Sequence, residues 1–378
     1  MVSVAQTPTR EVPFMDLNAI HESLKDAILG AVAELIDTGA FTNGPQVAEF
    51  EAGFAEFCGT CYAVGVANGL DGLRLALIAA GLQPGDEVIV PANTFVATLE
   101  AVTQAGGRPV LVDATERDYN LEVDGCADAV TSRTRVVVPV HLYGQLADMR
   151  ALLQRADSAG LVVVEDACQA HGAMRDGLRA GAGGSAGAFS FYPGKNLGAF
   201  GDAGAVVTDD AVLAERVRML RQHGERAKYE HEVEGYTARL DTLQAVVLLH
   251  KLPHLARWNE QRRSIARLYV EALDGLGDLR LPPVPPGSEP VWHLYPVRTA
   301  DPAALGAFLG SHGIGSGRHY PTPVHLTRAY EWLGYARGSF PVAEALAAEL
   351  LSLPMFPGMS EDDVSVVAAA VGDYFRRG

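Results

Sequence analysis

Short aliphatic runs recur through the first half of the chain, separated by stretches in which alanine and leucine fall at helical spacing. The runs Tyr62–Val66, Val88–Val90, Pro109–Val112, Val136–Val140 and Leu161–Val164 are continuously apolar, so each predicts a strand covered on both faces. Regular repetition of strand and helix predicts an α/β fold with a mostly parallel sheet between helical layers. Asp241 to about Leu273 reads as one long helix interrupted at Pro253, and Leu281-Pro-Pro-Val-Pro-Pro-Gly287 is the most linker-like stretch. Beyond it, Val291–Val297 and Gly313–Arg318 predict strands, while Pro302–Ser311, Pro341–Leu350 and Glu361–Phe375 predict helices. The expected organisation is a large domain over 1–250, opening with a helical segment, and a smaller C-terminal α/β domain over 251–378. No internal repeat or low-complexity tract breaks the pattern.

Composition narrows the partners. A chain of 378 residues, 48% of them hydrophobic, can bury a large core and a second, smaller one. A net charge of −16 argues against nucleic acid and anionic membrane as partners, and any anionic substrate must be met by local cations. No run approaches the ~18–20 apolar residues of a membrane span, and the polar N-terminus lacks a signal-peptide core. A cytoplasmic protein is expected. Cys58-Gly-Thr-Cys61 has redox-pair spacing but precedes a short strand without a thioredoxin context, so a structural role is expected. The four cysteines imply no disulfide framework, and no metal site is expected.

The chemistry centres on Phe189-Ser-Phe-Tyr-Pro-Gly-Lys195-Asn-Leu-Gly-Ala-Phe-Gly-Asp-Ala-Gly204, which sets one lysine in a turn between two apolar runs. An amine held there is costly unless it is paired, covalently used or depressed in pKa, and Schiff-base chemistry needs that depression. Taken alone, Lys195 could equally be an ordinary loop lysine. Upstream, Leu161-Val-Val-Val-Glu-Asp166 ends a buried run in two acids, at the strand end where open α/β sheets bind ligands. One carboxylate should face the site, although an acid there could also cap the next helix. A pyridoxal phosphate enzyme needs both groups, the carboxylate keeping the ring nitrogen protonated. Val64-Gly-Val-Ala-Asn68-Gly69-Leu70-Asp71-Gly72 is a strand, a tight turn and a helix start, suited to a phosphate or to a plain β–α connection. Gly181-Ala-Gly-Gly184 reads as a turn; neither glycine-rich stretch has the dinucleotide fingerprint, so an NAD-linked enzyme is not expected.

Glu165-Asp-Ala-Cys-Gln-Ala-His-Gly172 and Ser190-Phe-Tyr-Pro-Gly-Lys-Asn-Leu-Gly198 resemble the DegT/DnrJ/EryC1/StrS family of pyridoxal phosphate-dependent sugar aminotransferases. The chain looks most like the nucleotide-sugar 3-aminotransferases of antibiotic deoxysugar pathways, and the resemblance runs from Val12-Pro-Phe-Met-Asp-Leu17 to Leu351-Ser-Leu-Pro354. It implies an aspartate-aminotransferase-like architecture (fold type I) and a homodimer with shared active sites. Lys195 would carry the cofactor and move the proton, and Asp166 would face the ring nitrogen. The turn at Asn68, Gly69 and Leu70, with Ser190, would hold the phosphate; Phe95 would stack on the ring and Gln169 approach its hydroxyl. Tyr192, His319, Tyr320 and His325 match positions near the sugar, and Tyr143 is a further candidate for the pocket wall. Arg226 and Lys228, with His231, are candidates for a nucleotide diphosphate, with a solvated helix face as the alternative. One departure stands out: Thr237 occupies a place where relatives usually carry an Asn that reaches the partner subunit's cofactor phosphate. The implied reaction passes an amino group from glutamate, through pyridoxamine phosphate, to a TDP-linked keto sugar, at C3 or C4. A dehydratase branch of the family carries histidine at the lysine position, and a non-catalytic regulator would need a DNA-binding helix pair or basic patch that this sequence lacks.

Overall fold

The computed structural model describes residues 10–377; the polar N-terminal residues 1–9 of the sequence reading lie outside it. Seven strands form one sheet in the order Tyr62–Val66, Gly204–Thr208, Ala186–Ser190, Val162–Asp166, Thr134–Val137, Glu87–Pro91 and Arg108–Val112. The five strands from 186–190 to 108–112 are mutually parallel, and 204–208 runs antiparallel to both of its neighbours. The continuous apolar runs follow from this placement, because alternate residues enter different cores. Ala63, Ile89, Val137 and Val163 join one core, with Phe50, Phe54, Phe189 and Phe191. Val64, Val88, Val90, Val136 and Val164 join the other, under the helix Gly69–Ala79. A strand with both faces buried cannot afford polar alternation.

Helices Lys25–Thr38 and Pro45–Cys58 precede the sheet. The long C-terminal helix is broken as Pro253 predicts: Thr242–Lys251 passes through a 3-10 turn, Leu252–His254, into Leu255–Leu273. That last helix, Glu361–Arg377 and the pair of strands Tyr295–Arg298 and Leu350–Leu353 enclose a third core around Tyr269, Tyr295 and Val367. Val12 from the far end of the sequence is buried in that core as well. Two expectations need correcting. Residues 313–318 form only isolated bridges, Ile314 to Val12 and Gly317 to Ser352, because each pairing extends over a single residue. Residues 291–294 are irregular, with Trp292 at φ +46, and the second strand of the pair comes instead from 350–353, at the end of a predicted helix. Cys58 is buried, Cys61 is exposed, and both are free; burial pushes the Cys58 thiol up, away from redox reactivity.

Candidate active site

Asp166 and Lys195 meet because their strands are neighbours. Strand Val162–Asp166 pairs in parallel with Ala186–Ser190, so the end of one and the turn after the other share a rim of the sheet. Both residues line a cavity of about 500 Å³. Successive residues of a strand point to opposite faces, so only one acid of the Glu-Asp pair can enter it. Glu165 points the other way. It accepts hydrogen bonds from His141 Nε2 at 2.6 Å and from the N–H groups of Gly181 (2.7 Å), Gly183 (2.8 Å) and Gly184 (2.6 Å). Burial opposes its charge, but these donors outweigh burial and hold its pKa below the usual range. The glycine-rich turn is thus the cradle of a buried carboxylate that anchors the strand carrying Asp166.

Asp166 is held from behind. Thr98 Oγ1 donates to its Oδ2 at 2.8 Å, and Thr94 Oγ1 lies 2.7 Å from Thr98 Oγ1. Because a carboxylate only accepts, the Thr98 proton is committed to Asp166 and Thr94 donates to Thr98. The Cys168 N–H reaches Oδ1 at 3.2 Å. Lost hydration lowers the pKa of Lys195, partly offset by the Cys168 thiol and Asp166. That is the direction a nucleophilic amine requires. Beside it, His171 donates from Nε2 to the Ser190 carbonyl at 2.9 Å; burial and the nearby Lys195 keep it neutral, with a pKa of about 3.

Behind the opposite wall sits Tyr143, at φ +60, which supports the lining residues without itself lining the cavity. Its N–H donates to Gln169 Oε1 at 2.6 Å and its hydroxyl to the His319 carbonyl at 2.6 Å. With Oε1 occupied, Gln169 Nε2 donates to the Tyr320 hydroxyl at 3.2 Å, and the Tyr320 ring lies 5.0 Å from that of Phe95. Burial raises the Tyr320 phenol to about 12, so it stays protonated.

A phosphate would fit at the start of the helix Gly69–Ala79. Asn68 caps it by accepting the Asp71 N–H at 2.8 Å, which leaves the first-turn N–H groups of Gly69 and Leu70 without an intrahelical acceptor. Only glycine suits position 69: an added Cβ would lie 2.6 Å from Ser190 Cβ and 2.7 Å from Cys168 Sγ. Ser190 Oγ accepts the Tyr192 N–H at 3.4 Å and keeps its own proton to donate.

The cavity brings together Asn68, Gly69, Leu70, Phe95, Asp166 and Gln169 from one part of the chain, and Ser190, Tyr192, Lys195, His319 and Tyr320 from another. The other expected residues, His325, Thr237, Arg226, Lys228 and His231, and the wall candidate Tyr143, do not line it. His325 is buried elsewhere, its Nε2 3.1 Å from Glu344 Oε1 and its ring against Phe340. Thr237 is exposed beside His223. Arg226 pairs with Glu232 at 3.0 Å and Lys228 lies 5.2 Å from the Tyr229 ring, both on the exposed hairpin of strands Glu225–Ala227 and Glu230–His231. They sit on a hairpin rather than a helix face. Phe14, Met15, Asp202 and His293, which line the cavity, and Thr98 as the support of Asp166 were not foreseen from the sequence.

A lysine of depressed pKa facing a doubly held carboxylate, with a phosphate cradle alongside, defines a pyridoxal phosphate enzyme of the aspartate-aminotransferase type. Comparison with known proteins agrees. Residues 22–372 match the model of the DegT/DnrJ/EryC1/StrS aminotransferase family. The chain is 48% identical over 377 residues to the dTDP-3-amino-3,4,6-trideoxy-alpha-D-glucose transaminase of Streptomyces venezuelae, covering 100% of this chain and 99% of that protein. Its fold superposes on the crystal structure of S. venezuelae DesV in complex with a ketimine intermediate, with a TM-score of 0.96, 48% identity and coverage of 98% and 100%. It also matches NtdA from Bacillus subtilis with bound cofactor PMP, at a TM-score of 0.90, 30% identity and coverage of 98% and 87%. The chain belongs to the DegT/DnrJ/EryC1/StrS aminotransferase family, and its cofactor is pyridoxal phosphate.

Proposed function

We propose that this aminotransferase moves an amino group from L-glutamate to C3 of a TDP-linked keto-deoxysugar, in the biosynthesis of an antibiotic sugar. The observation that carries the reading is the convergence of Lys195 and Asp166 on one cavity. The C3 position rests on the 3-amino product in the name of the Streptomyces relative. Bound in the cavity, pyridoxal phosphate supplies the electron sink that makes a proton on a neighbouring carbon removable. Gly69, Leu70 and Ser190 would hold the phosphate, Phe95 would cover the ring, and Gln169 would approach the ring hydroxyl. Asp166, oriented by Thr98 and the Cys168 N–H, would keep the ring nitrogen protonated. Lys195 Nζ would take up the proton released from the donor α-carbon and, in the second half-reaction, give one up to the sugar carbon that receives the amino group. Phe14, Met15 and Tyr320 exclude water, and Tyr192 and His319 face the sugar. Lysine at position 195, rather than the histidine of the dehydratase branch, favours transamination over loss of a hydroxyl.

The active assembly is a cytoplasmic homodimer. Leu29, Ile36, Phe41 and Phe200 are large apolar side chains left exposed, and Tyr229 at the hairpin tip is 80% exposed. A second subunit covering that surface would bring Arg226 and Lys228 toward the nucleotide diphosphate at its partner's cavity, with Thr237 offering a hydroxyl to the phosphate there. Residues 251–378 act as the smaller domain, contributing His319 and Tyr320 to the rim. The test is incubation of the holoenzyme with L-glutamate and dTDP-linked 3-keto and 4-keto sugars, followed by mass spectrometry. A 3-amino sugar and 2-oxoglutarate are expected; the absence of an amino product from every keto sugar nucleotide would overturn the reading.

A further inference from the structure

His293 lines the cavity beside Lys195, and a chain of amides fixes which of its nitrogens bears the proton. Backbone carbonyls only accept hydrogen bonds, which gives the chain its direction. The His171 carbonyl takes the Asn259 Nδ2–H at 2.7 Å, so Asn259 Oδ1 faces Asn196. Asn196 Nδ2 then donates both to that oxygen (3.0 Å) and to the Val291 carbonyl (2.8 Å). This turns Asn196 Oδ1 toward His293 Nδ1, 3.3 Å away, so Nδ1 must be the protonated nitrogen. His293 Nε2 is left as a bare lone pair. Among the described residues it has no hydrogen-bond partner, and it is not sealed from the cavity.

The ring is also held rigidly from its own backbone. The buried Arg262 Nη1 donates to the carbonyls of Trp292 (3.0 Å), His293 (3.4 Å) and Met355 (2.9 Å). On the other side, the 291–293 segment packs so closely on Gly144 that a Cβ there would lie 2.9 Å from His293 N. Val291 N–H donates to the Gly144 carbonyl at 2.9 Å. Asn196, which orients the ring, is the residue after Lys195.

We propose that His293 is a positioning residue for Lys195: its unprotonated Nε2 accepts a hydrogen bond from the lysine amine once the amino donor has displaced that amine from the bound cofactor, and so keeps Nζ beside the carbon it must deprotonate and reprotonate. The proposal rests on Lys195 being the cofactor lysine. The charged and titratable groups that act most on His293 are Lys195, Arg262, His171 and His319, and Asp166 lines the same cavity. Burial first, then these cations, hold its pKa well below the ordinary value, so it remains an acceptor when Lys195 becomes an ammonium.

The direct test is a nitrogen-15 spectrum of the histidine rings in the holoenzyme, with the His293 signals assigned by their loss in His293→Gln. A protonated Nδ1 and bare Nε2, unchanged across about pH 5 to 8 where histidines ordinarily titrate, are expected. The opposite tautomer, or titration within that range, would overturn the proposal. In single-turnover kinetics with L-glutamate, His293→Leu should slow the chemical step ~10- to 100-fold with the half-saturating donor concentration unchanged. His293→Gln, whose amide oxygen can accept, should recover most of that rate. A wild-type rate in His293→Leu, or no recovery in His293→Gln, would overturn it. Should His293→Leu fail to fold, the wild-type spectrum and His293→Gln decide. Wild-type protein that transaminates through Lys195 yet shows the opposite tautomer removes this inference alone; wild-type protein with no cofactor bond to Lys195 removes the functional reading beneath it.

Discussion

Removing the hydroxyl of Thr98 should uncouple the two halves of the site without disturbing the fold. Thr98 is buried at 1% exposure in the first turn of the helix Val96–Gln104, and valine matches its shape. Thr98→Val deletes the 2.8 Å hydrogen bond to Asp166 Oδ2 and leaves the carboxylate with only the longer 3.2 Å contact from the Cys168 N–H. It also strands the Thr94 hydroxyl, whose partner at 2.7 Å is Thr98. A buried hydrogen bond to a charged group contributes about 1.5–3 kcal/mol. If that energy holds Asp166 in the plane of the cofactor ring, its loss raises the barrier by a similar amount, a roughly 10- to 100-fold slower half-reaction. The assay is stopped-flow loss of the visible cofactor absorbance on adding L-glutamate, beside urea unfolding of the same samples. Thr98→Ser, which restores the donor, should recover most of the rate. A Thr98→Val enzyme with bound cofactor and a wild-type half-reaction would refute the idea that Thr98 orients Asp166, as would a Thr98→Ser enzyme equally slow.

Two more predictions concern the cradle and pH. Gly69→Ala forces a methyl within 2.6 Å of Ser190 Cβ, so cofactor affinity by fluorescence titration should fall by at least ~10-fold while the far-ultraviolet spectrum is unchanged; wild-type affinity would show that the helix start does not hold the phosphate. His171 is fully buried with a pKa of about 3, so below its unfolded value of about 6.5 the unfolded chain takes a proton that the folded one refuses. Stability therefore rises with pH across that window and falls on acidification, by about 2 kcal/mol at about pH 5 from His171 alone. Chemical denaturation at the two ends of the window measures this, and a curve flat or more stable toward acid contradicts it.

The sequence shows plainly those parts of the protein that are local. Continuous aliphatic runs mark the strands because burial on both faces forbids polar alternation, and Pro253 marks the break in the long helix because it removes a donor. Lys195 and Asp166 stand out because a lysine and an acid at the ends of buried runs need a reason to be there. What the sequence hides is pairing through space. Which of Glu165 and Asp166 faces the cavity depends on the His141 ring and on three glycine N–H groups contributed from a later loop. Thr98 supports Asp166 from 68 residues away, and the Asn259–Asn196–His293 chain spans three separate elements. Val291–Val297 looks like one strand, yet its first residues are bent by Trp292 at φ +46, the bend that presents His293 to the cavity. Arg226, Lys228 and Thr237 stood out by charge and by departure from a pattern, properties that say nothing about whose cavity they serve.

The central claim, that Lys195 carries the cofactor in an amino-group transfer, is tested most directly by borohydride reduction of the holoenzyme followed by peptide mass spectrometry. The peptide containing Lys195 should carry the pyridoxyl phosphate mass, lose it when L-glutamate is added before reduction, and regain it when a dTDP-linked 3-keto sugar follows. A label on another lysine, or a label on Lys195 indifferent to both substrates, would contradict the account.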